Sequence, residues 1–266
     1  MEFITKLLIT FASQILSLFG VFFVLIFSLS YLQQKILTNY HRTVGWSGVL
    51  WTGWLGTPVH ELGHLIFALI FGHQINQLNL FRPNRRTGEL GQLSHSHNDD
   101  NLYQKIGNFF IAVGPILSGT TVLCLLLYWL IPNGPQILAL LKSTSFDWQI
   151  LGPRLIELIK LFGQTINFQQ PSFWFFLYLS FCVASHLAPS QQDRQGMWRG
   201  LALILFILLI INIFTLGLNY DFSPAIASLT KYLALVFSFL LYSLLISTLH
   251  WLLTIIILGP IRLFKK

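Results

Sequence analysis

The chain has 266 residues, of which 54% are apolar and only 9% are charged, whereas ordinary soluble domains carry about 25% charged residues. This composition excludes soluble enzymes, nucleic-acid-binding domains and disordered chains, in spite of a formal net charge of +7. We therefore expect an integral membrane protein that is surrounded by a lipid bilayer and has no nucleic acid as a partner.

Six apolar segments follow one another along the chain, and a membrane-spanning helix needs about 20 such residues. They cover residues 7–32, 44–71, 106–131, 173–188, 201–218 and 233–258. The predicted fold class is an all-α integral membrane protein, a polytopic bundle of about six transmembrane helices. With the N-terminus in the cytosol, 10 basic residues fall inside and 6 outside, so the positive-inside rule places both termini in the cytosol.

Two connections between these segments have structure of their own. Residues 75–81 alternate polar and apolar side chains, 84–88 form a turn cluster and 89–96 can return as a second strand, which predicts a small membrane-associated β-hairpin over 75–96. The outer connection 132–171 is too long for a structureless loop and contains the pattern of an amphipathic surface helix. The chain then divides into an N-terminal helix and connection (1–43), a core (44–200) and two C-terminal helices (201–266).

The motif His60-Glu61-Leu62-Gly63-His64 lies within the second apolar segment. Residues four apart share one face of a helix, so both imidazoles can bind one metal ion. Glu61 is then placed to act as the general base on a water molecule at that ion. An ionisable residue in an apolar membrane helix costs about 2.5–3.5 kcal/mol on insertion scales, and a bound cation compensates for it. We therefore predict a Zn²⁺ site with Glu61 as its catalytic residue.

A catalytic zinc ion takes three protein ligands and leaves one position open. Asp193 directly follows the fourth apolar segment, and a chain that turns back after Pro189 would bring it to the depth of His64. Asp193 is therefore the predicted third metal ligand. Two alternatives stay open: Asp193 can be a solvated loop residue paired with Arg194, and His186 can be the third ligand, or a residue that supports the ligands and donates to the transition state.

Other histidines carry less information. His95 and His97 alternate in the predicted hairpin, which is a spacing that allows metal binding. A solvated loop explains them better, because short histidine clusters are weak evidence for a metal site. His73 is expected near the surface without a special role.

The motif and its surroundings resemble the site-2 protease family of intramembrane zinc metalloproteases over residues 57–196. The resemblance rests on the first motif with the apolar helix and Phe71-Gly72 after it, on Gly114-Pro115 in the third segment, and on the stretch 185–193. That stretch is similar to the family's second metal motif, in which an Asn, a Pro three residues later and an Asp-Gly pair supply the third ligand. Here His186 replaces the Asn, Asp193 comes one residue early and no Gly follows it directly.

The resemblance implies a zinc metalloendopeptidase that hydrolyses a peptide bond of a membrane-anchored protein near the cytosolic face. Short loops and the lack of a targeting sequence fit a bacterial cytoplasmic membrane. The predicted hairpin could hold an unwound substrate by adding a strand to its edge. Two other functions are compatible with the motif: a divalent-metal transporter, which should show more polar residues in its spans and inverted repeats, and a non-catalytic membrane scaffold stabilised by a metal.

Overall fold

The computed structural model of the protein describes residues 1–142, 148–220 and 222–264, and most of them are helical. In chain order its elements are α1 (Glu2–Ile15), a π-helical turn (Leu16–Gly20), α2 (Val21–Thr43), α3 (Trp46–Ile70), β1 (Gln74–Asn79), β2 (Gln92–Ser96), α4 (Leu102–Leu130), α5 (Gly134–Lys142), α6 (Trp148–Phe162), α7 (Thr165–Gln169), α8 (Pro171–Ala184), α9 (Gln191–Gly217) and α10 (Ser223–Phe264). The predicted combination of a helical bundle with one small sheet is confirmed.

Among the described residues, four helical segments are long and apolar enough to cross a membrane, which is fewer than the six predicted. They are Glu2–Thr43, Leu102–Leu130, Gln191–Gly217 and Pro224–Ile261. The second and fourth predicted segments form α3 and α8, which are not among them. With 14 residues, α8 is shorter than the roughly 20 residues that a complete crossing needs.

The short helix α8 runs parallel to α3. Cys182 of α8 contacts the backbone oxygen of Trp51 near the start of α3. Four residues later, the carbonyl oxygen of His186 contacts His60, which lies further along α3. The end of α8 therefore reaches the middle of α3 and stops there.

The long helix α9 runs in the same direction as α8. It packs antiparallel to the α1–α2 helix, because Trp198 stacks on Phe23 and Asn212 bonds Gln14. The α1–α2 helix turns back into α3 at Gly45, which has a positive φ of 77°. Both α8 and α9 are thus parallel to α3, whereas two successive complete crossings would run in opposite directions.

The last helix, α10, packs parallel to the α1–α2 helix. Leu18 and Ile226 share one buried cluster, and the Tyr40 hydroxyl bonds His250 towards the other end. The start of α1 and the end of α10 therefore lie at opposite ends of the bundle.

A π-helical turn joins α1 to α2 without a break in the helix. Before this turn, Gln14 and Asn212 exchange side-chain hydrogen bonds with α9. After it, Tyr40 bonds His250 of α10. The two halves of this long helix thus direct polar side chains to different partner helices, although Phe23 of α2 also stacks on Trp198 of α9.

The predicted β-hairpin is confirmed, with its second strand starting at Gln92 rather than at Glu89. The two strands pair antiparallel from Gln74 opposite Ser96 to Asn79 opposite Gln92, with an irregularity between Ile75 and Gln77. Since the sheet has two strands, β2 has one edge that is not paired with β1.

The outer connection is mostly helical. It contains α5, α6 and α7, and α6 corresponds to the predicted amphipathic helix. Leu158 of α6 is buried, whereas the neighbouring Ile159 is 64% exposed. Residues 143–147 of this connection, and residues 221 and 265–266 of the C-terminal part, lie outside the described residues. The predicted boundary at residue 200 falls inside the continuous helix α9.

The hydrophobic core is organised around α4. Leu123 and Leu127 belong to one buried cluster, together with side chains of α8 and α10. Phe109 and Ile116 belong to another, together with side chains of α2, α9 and α10. α4 therefore packs against α8 and α10 at one end and against α2, α9 and α10 at the other.

Candidate metal centre

His60, His64 and Asp193 come together at the point where α8 ends and α9 begins. The Nε2 atoms of the two histidines are 3.1 Å apart. Asp193 Oδ1 lies 3.2 Å from His64 Nε2, and Asp193 Oδ2 lies 3.7 Å from His60 Nε2. Four ligands held tetrahedrally at about 2.0–2.1 Å from a zinc ion are separated by about 3.3–3.4 Å. The three residues are thus spaced as ligands of one metal ion would be.

Backbone carbonyls fix the orientation of both imidazole rings. His60 Nδ1 donates to the carbonyl oxygen of His186 at 2.7 Å, and His64 Nδ1 donates to that of Ile111 at 2.8 Å. A carbonyl oxygen can only accept, so in the neutral rings the proton is on Nδ1 and Nε2 carries a lone pair. Metal-binding histidines are commonly held in this way.

The chemistry of this group of donors fits a cation. Two Nε2 lone pairs and a carboxylate oxygen face one another within contact distance, although none of the three atoms has a proton to offer in the neutral rings. Such an arrangement is repulsive unless a cation or an added proton lies between the acceptors. His60, His64 and Asp193 therefore form a candidate metal site, with each ligand atom within 4.8 Å of the others.

Close backbone contacts at glycines bring the supporting helices to α3. A Cβ at Gly63 would lie 2.6 Å from Pro115 Cα, and a Cβ at Gly114 would lie 2.6 Å from the Gly63 carbonyl oxygen. At Gly56, a Cβ would overlap the carbonyl oxygen of Cys182 in α8. The glycines thus allow α4 and α8 to reach the two metal-site histidines with their carbonyl groups.

Asp193 belongs to the first turn of α9 and is not a loop residue. Its Oδ2 accepts a hydrogen bond from the backbone N–H of Ser190 at 2.7 Å, and its own N–H donates to Ser190 Oγ at 3.2 Å. This reciprocal pair is a capping box, which fixes the start of a helix. Since Oδ2 caps the helix, Oδ1 is the oxygen that faces His64 at the shorter distance.

Glu61 lies beside this group and next to the hairpin. Its side chain is buried, with 7% exposed, and it interacts with the backbone of Leu93 in β2. A carboxyl group in this place can exchange a proton with a molecule bound between the metal site and the strand. The structure therefore keeps the predicted base close to the predicted ligands.

The His186 side chain does not join His60, His64 and Asp193. Its ring packs against Gly53 and Gly56, and its Nδ1 lies 3.2 Å from the Cys182 carbonyl oxygen. His186 Nε2 is buried and has no hydrogen-bond partner among the described residues. His186 contacts the centre through its carbonyl oxygen, which orients His60.

A cavity of about 240 Å³ opens beside His64 and Asp193. One wall is made by consecutive residues of β2, and the opposite walls are made by α4 and the start of α9. The lining includes Leu93, Ser94, His95, Asn108 and Ala112. A short extended peptide bound in this cavity would lie between the open strand and the metal-site residues.

His73 and His95 form a hydrogen-bonded pair near this cavity, a feature that sequence reasoning missed. His73 Nε2 donates to the Gln104 carbonyl oxygen, so His73 Nδ1 accepts from His95 Nδ1 at 2.9 Å. His97 stacks on His73 with ring centroids 5.1 Å apart. Burial lowers the pKa of His73, and burial together with the nearby His73 lowers the pKa of His95 to about 4. His95 is thus a neutral strand residue rather than part of a solvated loop.

Comparisons with protein-family models, with curated proteins and with solved structures return no match for this chain. The likeness to the site-2 protease family accordingly remains a likeness of motifs, accompanied by the convergence of His60, His64 and Asp193 in space.

Proposed function

We propose that this chain is an intramembrane zinc metalloprotease of the site-2 protease type, which hydrolyses a peptide bond of a membrane-anchored protein near the cytosolic face. The observation that carries the proposal is the convergence of three proton-free acceptors, on His60, His64 and Asp193, beside the buried carboxyl group of Glu61. A structural metal alone would not require a buried carboxyl group beside an open cavity.

The residues of the chain have separate tasks in this proposal. A bound Zn²⁺ supplies a Lewis acid that polarises the peptide carbonyl and makes water more acidic. Glu61 takes a proton from the water molecule while the oxygen of that water bonds to the carbonyl carbon. Glu61 then gives this proton to the amine nitrogen as the C–N bond breaks. The carbonyl groups of His186 and Ile111 keep the imidazoles in the metal-binding tautomer.

The hairpin provides the place where a substrate is held extended. A peptide bond inside a helix has its carbonyl engaged in a hydrogen bond, so a helical substrate must unwind before attack. An unwound segment can pair with the open edge of β2, whose residues line the cavity beside His64 and Asp193. Deletion of the hairpin that left cleavage intact would remove this step.

We also propose that all six predicted segments lie in the membrane, with α8 and α9 together making one interrupted crossing. Exposed aromatic side chains support one membrane interface where α3 and α8 start and α4 ends: Trp51, Trp54, Tyr128, Trp129, Trp174 and Tyr178. In this arrangement the N-terminus and the arginine-containing hairpin turn are cytosolic, and the end of α10 faces the other side. Reporter fusions at the two chain ends test this, and two cytosolic reporters would contradict it.

Glu61→Gln is the decisive test of the proposed function. The variant and the wild type are reconstituted in vesicles with a reporter protein anchored by one transmembrane helix, and both zinc content and cleavage are measured. A protease should lose cleavage and keep its zinc, since Glu61 is not a ligand. Cleavage that survives in Glu61→Gln would refute the proposed mechanism. Zinc transport into the vesicles, unchanged by the substitution, would favour a transporter.

A further inference from the structure

Two neighbouring cavities, one apolar and one polar, lie away from the candidate metal centre. The apolar cavity has a volume of about 490 Å³, and its described lining side chains, from the π-helical turn, α2, α4, α9 and α10, are all apolar. The polar cavity has a volume of about 340 Å³ and is lined by Lys6, Thr10, Asn212, Thr215, Asn219 and Tyr220, among others. Phe222 lines both cavities. The two cavities are therefore adjacent parts of one region.

The polar cavity lies where two apolar segments of the chain end. Lys6 directly precedes the apolar segment 7–32, and Asn219 and Tyr220 directly follow the apolar segment 201–218. In a membrane protein, this change in polarity marks the level of the lipid headgroups. The apolar cavity is then at the level of the acyl chains.

We propose that the two cavities form a binding site for one anionic glycerophospholipid, with its phosphate in the polar cavity and an acyl chain in the apolar one. The described lining of the polar cavity contains one cation, Lys6, and no carboxylate, together with hydroxyl and amide groups that can donate to phosphate oxygens. Lysines close to the membrane surface attract anionic lipids. The charge of the site thus favours an anionic headgroup over a neutral one.

The volume of the apolar cavity decides between a lipid chain and a protein helix as its occupant. A membrane-spanning helix about 30 Å long and about 10 Å wide fills about 2,400 Å³. The apolar cavity has about 490 Å³, which lies in the range of about 300–1,000 Å³ typical of small-molecule sites. A substrate helix is therefore too large, whereas an acyl chain fits.

The proposed lipid site is connected to the metal site through α4. Phe109, Phe110 and Val113 of α4 line the apolar cavity. Ile111, on another face of the same turns, lines the cavity beside His64 and accepts the hydrogen bond from His64 Nδ1.

The test is lipid binding measured by native mass spectrometry of the detergent-solubilised full chain. Protein stripped of lipid is titrated with phosphatidylglycerol or with phosphatidylcholine, and we expect one phosphatidylglycerol to bind preferentially. Lys6→Gln should weaken this binding about fivefold, the effect of one lysine–headgroup contact. Lys231→Gln is the matched control, because Lys231 is exposed on α10 and lines neither cavity. Ile207→Trp, which fills the apolar cavity, should reduce binding of both lipids.

Equal binding of the two lipids to the wild type would overturn the proposal, and so would equal phosphatidylglycerol affinity of Lys6→Gln and Lys231→Gln. A full complement of lipid in Ile207→Trp would show that the acyl chain lies elsewhere and would overturn it too. All proteins are also prepared with Glu61→Gln, in which the proposed protease is inactive. Since lipid binding is measured without cleavage, the lipid site can be refuted while the proposed protease function stands. The protease function can likewise be refuted while the lipid site stands.

Discussion

A side chain at Gly56 tests how the metal site is held together. A Cβ there would overlap the carbonyl oxygen of Cys182 and lie 2.5 Å from His186 Nδ1. Because the first of these atoms is backbone, the end of α8 must move away from α3, and such overpacking costs about 1–3 kcal/mol. The movement would withdraw the His186 carbonyl from His60 Nδ1. Loss of an outer hydrogen bond of this kind weakens metal binding about 10–100-fold.

We therefore expect Gly56→Ala to fold and to bind zinc about 10–100-fold more weakly, a loss of about 1.4–2.7 kcal/mol. The assay is a competition titration of the purified protein with a chromophoric chelator, with circular dichroism to monitor helix content. Gly259→Ala is the matched control, because a Cβ at this helical glycine meets nothing within 4 Å. If both variants bind zinc as tightly as the wild type, contact with α8 does not hold His60.

Removal of metal with EDTA should lower the Tm of the wild type by several degrees, because a ligand present at 100 times its Kd contributes about 2.7 kcal/mol to stability. The Tm of Asp193→Ala should hardly change. Equal changes in Tm on addition of EDTA would contradict the assignment of Asp193 as a ligand. Burial and the neighbouring His73 lower the pKa of His95 from 6.5 to about 4, so unfolding takes up a proton and stability should fall as pH drops through that window. His95→Gln should reduce the difference in the free energy of unfolding between pH 7 and pH 5, measured by chemical denaturation. An unchanged difference would refute this role of His95. Gln14→Leu should destabilise the protein by about 1–3 kcal/mol, since the buried Asn212 loses its hydrogen-bond partner. The double variant with Gln14→Leu and Asn212→Leu should be more stable than Gln14→Leu alone, and a comparison of the Tm values of the three proteins checks this.

Much of the candidate site could be predicted from the sequence because its ligands lie on regular local structure. The spacing of His60 and His64 requires only that α3 is a helix. Asp193 was predicted from its place after the fourth apolar segment, although its position in a capping box was not. The groups that orient the two imidazoles are backbone carbonyls, which carry no side-chain signal. For the same reason, sequence reasoning gave His186 a possible role for its ring, whereas the structure uses its carbonyl oxygen.

The path of the helices was harder to predict. Hydropathy finds apolar segments but contains no information on their direction, so α8 and α9 were expected to cross in opposite senses. The pairing of His73 with His95 joins residues from the end of α3 and from β2, which approach only in the folded hairpin. Spacing rules describe neighbours on one element and cannot find such a pair. Only Gly72, a common helix-ending residue next to His73, marked the turn that makes the pair possible.

The π-helical turn between α1 and α2 accommodates one extra residue in this long helix. A π turn holds one residue more than an α-helical turn, and one residue corresponds to about 100° of helix rotation. Because that extra residue is accommodated within about one full turn, the two halves of the helix keep nearly the relative orientation that an α-helix one residue shorter would give them. Deleting one residue within Leu16–Gly20 should therefore leave an uninterrupted α-helix that keeps both the Gln14–Asn212 pair and the Tyr40–His250 contact. Deleting a residue from the α-helical part of α2 before Tyr40 would instead rotate the remainder by about 100° and separate one of the two contacts.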